Sequence, residues 1–412
     1  MRHGVAVVVG VALSVVATSV SARDLEGSIG GAAYKIRVPD NWNRTLLIYA
    51  HDYRDKADHA GETDERQADA APGGELFEAL LLAQGYALAG SAYSEDGWAV
   101  QEGITDTHAL VKEFRHRVGK PDRTILWGFS LGSIITFKSI EKYPDLYDGA
   151  IAACGVGVGT PRVTDRGADL ATAYDVTFGW PAVWGTPGDV RDDLDFETEV
   201  APILLAQVTS PANLGYFEFI RLVNHLPEED FYSGSNWLFT DMFFNTEARA
   251  ELERRAGGPI VQNRNHTYSL TQEEQAYLGT LGINANVLLN DMNARRYLSG
   301  KKSARRYLDR YATYTGKLQR PVLTIHTTVD GLVTVDNEFE YRKTVEGAGR
   351  TSFLLQMFTD SVGHCTFTPE QLVSSVKAME SWLSTQTRPG PAFFPESLGF
   401  VPDFQPPPWP QP

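Results

Sequence analysis

Arg123-Thr-Ile-Leu-Trp-Gly-Phe-Ser-Leu-Gly-Ser133 decides the fold of this 412-residue chain. Thr124, Ile125, Leu126 and Trp127 form a short apolar run suited to a strand buried on both faces. Gly128-Phe129-Ser130-Leu131-Gly132 fits G-x-S-x-G, and Leu131, Ile134, Ile135 and Phe137 then resume at helical spacing. Strand, tight turn and helix is the setting in which that motif lifts a serine clear of a sheet. The glycines leave room around a strained turn, and the N–H of Leu131 opens a helix N-terminus. Ser130 is therefore read as a nucleophile. In a chain with 37 glycines the pentapeptide alone is weak evidence; the strand–turn–helix setting gives it weight.

Upstream of this stretch, residues 31–38 read as an edge strand ended by Pro39-Asp40, and residues 45–50 as a continuous apolar strand followed by His51-Asp52-Tyr53. Residues 54–74 are polar and read as a surface loop. Residues 75–84 read as a helix stopped by Gly85, residues 86–92 as a strand, and residues 100–118 as a long amphipathic helix. Downstream, residues 147–154 give the next strand. Strands alternating with helices predict a parallel α/β sheet. The alternation lapses for about 165 residues and returns with strands at 320–327 and 352–358, separated by a helix near 337–345. Thr368-Pro369-Glu370-Gln371 is a capping box with proline at the first helical position, and opens the last helix.

The interruption, residues 157–318, is helical in pattern and dense in aromatics: Trp180, Trp184, Phe217, Phe219, Trp237, Phe239, Phe243, Phe244 and Tyr268. Inserted between sheet strands at the end where Ser130 lies, it is placed to form a cap. Most of these rings are expected to be the cap's own core, and a few to face a pocket. The organisation expected is a signal peptide over 1–22, a core in two parts over 23–156 and 319–387, the cap over 157–318, and a Pro-rich tail over 388–412. The tail reads as extended, either wrapping the surface or disordered.

Residues 1–22 carry Arg2 and His3, an apolar stretch shorter than a comfortable membrane span, and small residues at Val20-Ser21-Ala22. Cleavage after Ala22 and a secreted or periplasmic mature chain are expected, with no stable membrane insertion afterwards. The net charge of −15 argues against a nucleic-acid partner. No zinc spacing, phosphate loop or dinucleotide fingerprint is present, so neither a cofactor nor a metal is expected. The acidic run at 192–199 offers a calcium site or, more simply, a solvated loop.

A serine nucleophile needs a base, an orienting carboxylate and an oxyanion hole. Of nine histidines, His364 lies between the last strand and the last helix, where it reaches Ser130. His326, inside a strand, reads as packed or hydrogen-bonded. Asp330 follows the penultimate strand and is read as the partner of His364; Asp336 is a reserve, expected to cap the next helix. The backbone N–H groups of Leu131 and Tyr53 are the candidate oxyanion donors.

These features together resemble the α/β-hydrolase superfamily, over about residues 30–155 and 318–385, with the insertion matching as a cap. Within it the chain is similar to secreted bacterial hydrolases of esterase-like or prolyl-oligopeptidase-like type. The resemblance implies an eight-stranded, mostly parallel sheet and a Ser-His-Asp hydrolase. One departure is Asp52, where the family's loop usually reads His-Gly. Cys154 and Cys365 both fall on the catalytic rim, and a disulfide pinning the histidine loop is expected between them. The function expected is hydrolysis of carboxylic esters, bulky apolar or aromatic ones given the aromatic cap. The alternatives are a peptidase of prolyl-oligopeptidase type and a non-catalytic ligand-binding protein. The small-molecule substrate and the oligomeric state are not named by the sequence.

Overall fold

Side chains that alternate faces along β5 (Arg123–Phe129 below) organise the molecule. The computed structural model describes residues 21–57, 59, 66–231 and 237–410, without the side chains of Phe231 and Trp237. The strands are β1 (Ala22–Ile29), β2 (Ala32–Pro39), β3 (Thr45–Ala50), β4 (Ala87–Ser91), β5 (Arg123–Phe129), β6 (Gly149–Ala153), the small hairpin β7 (Gly185–Thr186) and β8 (Asp189–Val190), then β9 (Val322–Val329) and β10 (Leu354–Val362). Eight of them form one sheet in the order β1-β2-β4-β3-β5-β6-β9-β10. The pairs β1–β2 and β2–β4 are antiparallel and the others parallel.

On β5, Leu126 packs into the core on one face of the sheet, while Ile125, Trp127 and Phe129 pack into the core on the other. Helices α1 (Glu75–Ala83), α2 (Val100–Arg117) and α3 (Leu131–Lys142) supply the first cover. Phe114, Ile134 and Phe137 fill the Leu126 side; Phe77 and Leu81 fill the Trp127 side. Trp127 is 1% exposed and makes edge contacts to Tyr49 and Phe129. Truncating it to alanine would cost about 3–5 kcal/mol.

Between β6 and β9 the chain runs through α4 (Thr160–Phe178), α5 (Ala201–Val208), α6 (Leu214–Val223), α7 (Glu228–Phe231), α8 (Trp237–Asn245), α9 (Glu247–Ala256), α10 (Gln272–Thr280), α11 (Ala285–Ala294) and α12 (Lys302–Ala312). Trp184, Phe217 and Phe219 lie in this insertion's own core, with Tyr268. Trp237's side chain is outside the described residues. The chain closes with α13 (Asp336–Gly347) and α14 (Pro369–Thr385), the latter capped by reciprocal bonds between Thr368 and Gln371.

Two differences from the sequence reading have physical causes. Residues 22–29 form a strand, so residues 31–38 are not the edge. Most of β1 is exposed, and so it lacks the apolar alternation by which strands are read. Ser21 and Ala22 join this strand region, Ser21 through its carbonyl, which accepts from Asp40 N–H at 3.1 Å. Residues 1–20 lie outside the described residues. Asp336 does not cap α13: Val335 holds that position, and Asp336 instead pairs with Arg166 at 3.1 Å. Of the two readings of the tail, wrapping is the one found. Val401 N–H bonds to Phe358 O at 2.9 Å, and Phe394 and Phe400 are buried, covering the outer edge of β10.

Candidate active site

The turn after β5 is shaped by close approach. A Cβ on Gly128 would stand 2.1 Å from Gly132 O, and one on Gly132 2.0 Å from Ala50 O. Helix α3 therefore sits against the end of β3 at a distance that only glycines allow. Ser130 occupies φ 51°, ψ −118°, a region costing a non-glycine residue about 1–3 kcal/mol. Its backbone is held by Ala153 O, which accepts from Ser130 N–H at 3.2 Å, and by Ser133 Oγ, which donates to Ser130 O at 2.5 Å.

Asp330 follows β9 and is 1% exposed. Its Oδ1 accepts from the N–H groups of Leu332 and Val333 at 3.0 and 2.9 Å. Its Oδ2 lies 2.8 Å from His364 Nδ1, and His364 Nε2 lies 2.9 Å from Ser130 Oγ. With Nδ1–H donating to the carboxylate, Nε2 is left to accept the serine proton. Burial alone would push the His364 pKa down and that of Asp330 up. Their mutual attraction outweighs it, so His364 is held above the usual histidine value and Asp330 below the usual carboxylate range.

The histidine loop is tied on both sides. Gly363 N–H donates to Val329 O at 2.8 Å, and Thr327 Oγ1 donates to Gly363 O at 3.0 Å. Cys365 is bonded to Cys154 at the end of β6, with Cα atoms 5.2 Å apart. Among the described residues, Cys154, His364 and Cys365 make the one cluster of potential metal ligands. The cysteines there are spent on each other and His364 on Asp330 and Ser130. In the acidic run, Asp195 caps Thr198 N–H at 3.0 Å and Arg191 bonds Asp193 and Glu199, so these carboxylates are used locally.

The loop after β3 places Tyr53 beside Leu131 and Ser130 on the wall of one cleft. His51 is buried, stacked on Tyr93 at 3.8 Å, with its Nδ1 2.7 Å from Asp52 O. Burial, aided by Arg54, pushes its pKa down to about 3, so it stays neutral and serves as a brace. Asp52 does stand near the reacting groups. Desolvation raises its carboxyl pKa against the pull of Arg54, and its charge helps to raise that of His364. His326 is fully buried, with Nδ1 2.9 Å from Thr327 O.

Tyr53, Trp98 and Phe244 form an aromatic corner of the cleft with ring centroids 5.1 to 5.9 Å apart. Arg166, Asn224, Asp241 and Arg249 bring polar groups to the same space from the insertion. The sequence reading named none of these four, nor Asp230, whose carboxylate accepts from Gly331 N–H at 2.6 Å. Asp241 had a signal: it is the lone charge in the apolar stretch Trp237-Leu-Phe-Thr-Asp-Met-Phe-Phe-Asn245. The others look like ordinary surface charges of amphipathic helices.

No protein-family model matches the chain. The o-phthalyl amidase of Xanthobacter agilis is 29% identical over 125 residues, 30% of this chain and 24% of that protein. The chain thus spans about a quarter of that curated relative's length. Among solved structures, an esterase from Aspergillus oryzae is similar with a TM-score of 0.42 and 14% identity, over 89% of this chain and 80% of that one. An esterase from Pyrococcus furiosus gives 0.42 and 13%, over 90% and 92%. The acylaminoacyl peptidase of Pyrococcus horikoshii gives 0.43 and 10%, over 90% of this chain and 42% of that one. These likenesses are too distant to speak for chemistry. The strand order with its antiparallel start, the serine turn between β5 and α3, and the chain order serine, aspartate, histidine at the C-terminal ends of parallel strands are this molecule's own. By them, the chain carries the α/β-hydrolase fold.

Proposed function

We propose that this protein is an exported serine hydrolase that cleaves carboxylic esters through an acyl-enzyme. The observation carrying the proposal is the unbroken hydrogen-bond line from Ser130 Oγ through His364 to Asp330, at 2.9 and 2.8 Å. Ser130 Oγ attacks the ester carbonyl carbon while its proton passes to His364 Nε2. Asp330 holds the tautomer and stabilises the imidazolium. The tetrahedral oxyanion is received by the N–H groups of Leu131 and Tyr53. His364 then returns the proton to the departing alkoxide. Water repeats the sequence on the acyl-enzyme, releasing the acid and restoring Ser130.

Residues 157–318 act as the cap over this chemistry. The aromatic corner of Tyr53, Trp98 and Phe244 favours a bulky apolar or aromatic group in the cleft. Export rests on the leader-like residues 1–22 and fits a Cys154–Cys365 disulfide, a bond favoured outside the cytoplasm. Amide cleavage is the second reading, favoured by the partial match to a protein named as an amidase.

The test is turnover by the mature protein of short-chain, long-chain and aromatic-acid esters and of matched aryl amides, each beside Ser130→Ala. Ester turnover lost in Ser130→Ala supports the proposal. Amide turnover alone moves it to the second reading, and turnover equal in both proteins removes the triad. Intact mass of the exported chain tests cleavage after Ala22.

A further inference from the structure

Four buried polar side-chain atoms on the insertion side of the cleft have no hydrogen-bond partner among the described residues: Thr160 Oγ1, Asn224 Oδ1, Asp241 Oδ2 and Arg249 Nη2. Asp241 is 8% exposed and, among the described residues, its Oδ2 has no hydrogen-bond partner. Arg249 is 3% exposed; its Nε donates to Glu253 at 2.8 Å and its Nη1 to Pro187 O at 2.8 Å, leaving Nη2 over. A buried carboxyl without partners is costly, and a folded chain keeps one chiefly where something else completes it.

The charges around this space oppose an ion of either sign. A cation there would face the guanidiniums of Arg166 and Arg249. An anion would face Asp241, and Asp230 and Asp330 stand near enough to Asp241 to disfavour its own ionisation. Burial is the larger cause, and together they hold Asp241 well above the usual carboxylate range, against the pull of Arg166. The shift favours the protonated form of Asp241, which has one O–H to give and one oxygen to accept. A hydroxyl matches that set: it donates once to Asp241 and accepts from Asp241 or Arg249.

We propose that Asp241 and Arg249 are specificity-determining residues, and that the part of the substrate seated under the insertion is an apolar or aromatic body bearing a neutral hydroxyl. This rests on the hydrolase reading and names its substrate class. In the free protein, water takes the hydroxyl's place and is displaced when the substrate enters.

The test uses pairs of esters that differ by one group of similar size. One set carries it on the acid: 4-nitrophenyl 3-arylpropanoates with hydroxyl, methyl or aminomethyl at ring position 3 or 4. The other carries it on the alcohol: 2-arylethyl acetates substituted in the same way. Wild type should prefer hydroxyl over methyl by about 10- to 100-fold in kcat/KM in at least one set. Asp241→Leu should bring that ratio near one, and Asp241→Asn, which still donates and accepts, should keep part of it. Melting of Asp241→Leu should come at or above the wild-type temperature, because an unpartnered group has been removed; Asp241→Asn serves if the leucine variant does not fold. No preference in either set, a ratio unchanged in Asp241→Leu, or preference for the aminomethyl esters would overturn the proposal. If wild type hydrolyses nothing, the hydrolase reading fails separately. Calorimetric affinities of Ser130→Ala for the same esters then decide the pocket: equal affinity for hydroxyl and methyl overturns it.

Discussion

The two walls of the cleft are finished to different degrees. On the sheet wall every reactive atom is engaged: Ser130 with His364, His364 with Asp330, and Asp330 with two backbone N–H groups. On the insertion wall, Asp241, Arg249 and Asn224 each keep a buried atom unsatisfied. The sheet wall is preorganised before any substrate arrives, as electrostatic catalysis demands. On the proposal above, the insertion wall is completed by the substrate. The difference assigns reactivity to one wall and selection to the other: sheet-wall variants should depress turnover of every substrate alike, whereas insertion-wall variants should change the ratio between substrates.

The largest expected effect is Ser130→Ala, which should lower kcat by about 10⁴- to 10⁶-fold on any accepted ester, read by steady-state kinetics. A residual rate within tenfold of wild type would break the comparison at its root. Asp330→Asn should follow, with kcat down about 10³- to 10⁴-fold, since His364 loses both tautomer control and its counter-charge. The pH profile adds a sign. His364 works as a base only when neutral, and Asp330 raises its pKa, so wild-type kcat/KM should climb through a midpoint above 6.5. In Asp330→Asn that midpoint should move down; a midpoint that stays put would mean another group sets the limb.

Gly132→Ala sharpens the steric side of the argument. The added methyl meets Ala50 O, so kcat should fall about 100-fold, with about 1–3 kcal/mol lost in urea unfolding. Replacing Cys154 and Cys365 together by serine should cost about 3–5 kcal/mol of stability, by the same measurement under non-reducing conditions. Equal stability would mean the pair is not bonded in solution. The smallest effect is Tyr93→Phe. It removes a 3.2 Å bond to His51 O and should cost about 1 kcal/mol with little change in kcat.

The sheet wall was legible from sequence because its residues sit at fixed offsets from short apolar runs. Ser130 follows a strand and opens a helix; Asp330 and His364 follow the last two strands of the sheet. Strand geometry turns such offsets into positions. β1 was not legible, since an exposed strand shows no apolar alternation. The insertion wall was not legible for a different reason. Its helices pack chiefly on one another, so periodicity says which faces are apolar and nothing about which helix meets Ser130. Phe243 and Phe244 are adjacent and equally apolar, and only Phe244 lines the cleft. Asp336 shows the same limit: next to a helix start it reads as a cap, yet Arg166, 170 residues earlier, claims it.

The pairing of Cys154 with Cys365 closes a loop of 211 residues that contains the whole insertion. This bears on how the chain is made. During synthesis Ser130 emerges 234 residues ahead of His364, roughly 10 to 50 seconds at ordinary elongation rates. Throughout that interval Ser130 is without His364, and the hydrogen-bond line from Ser130 to Asp330 is incomplete. The line closes only when the last strands dock, and the tie of Cys365 to Cys154 then fixes that late arrival in place.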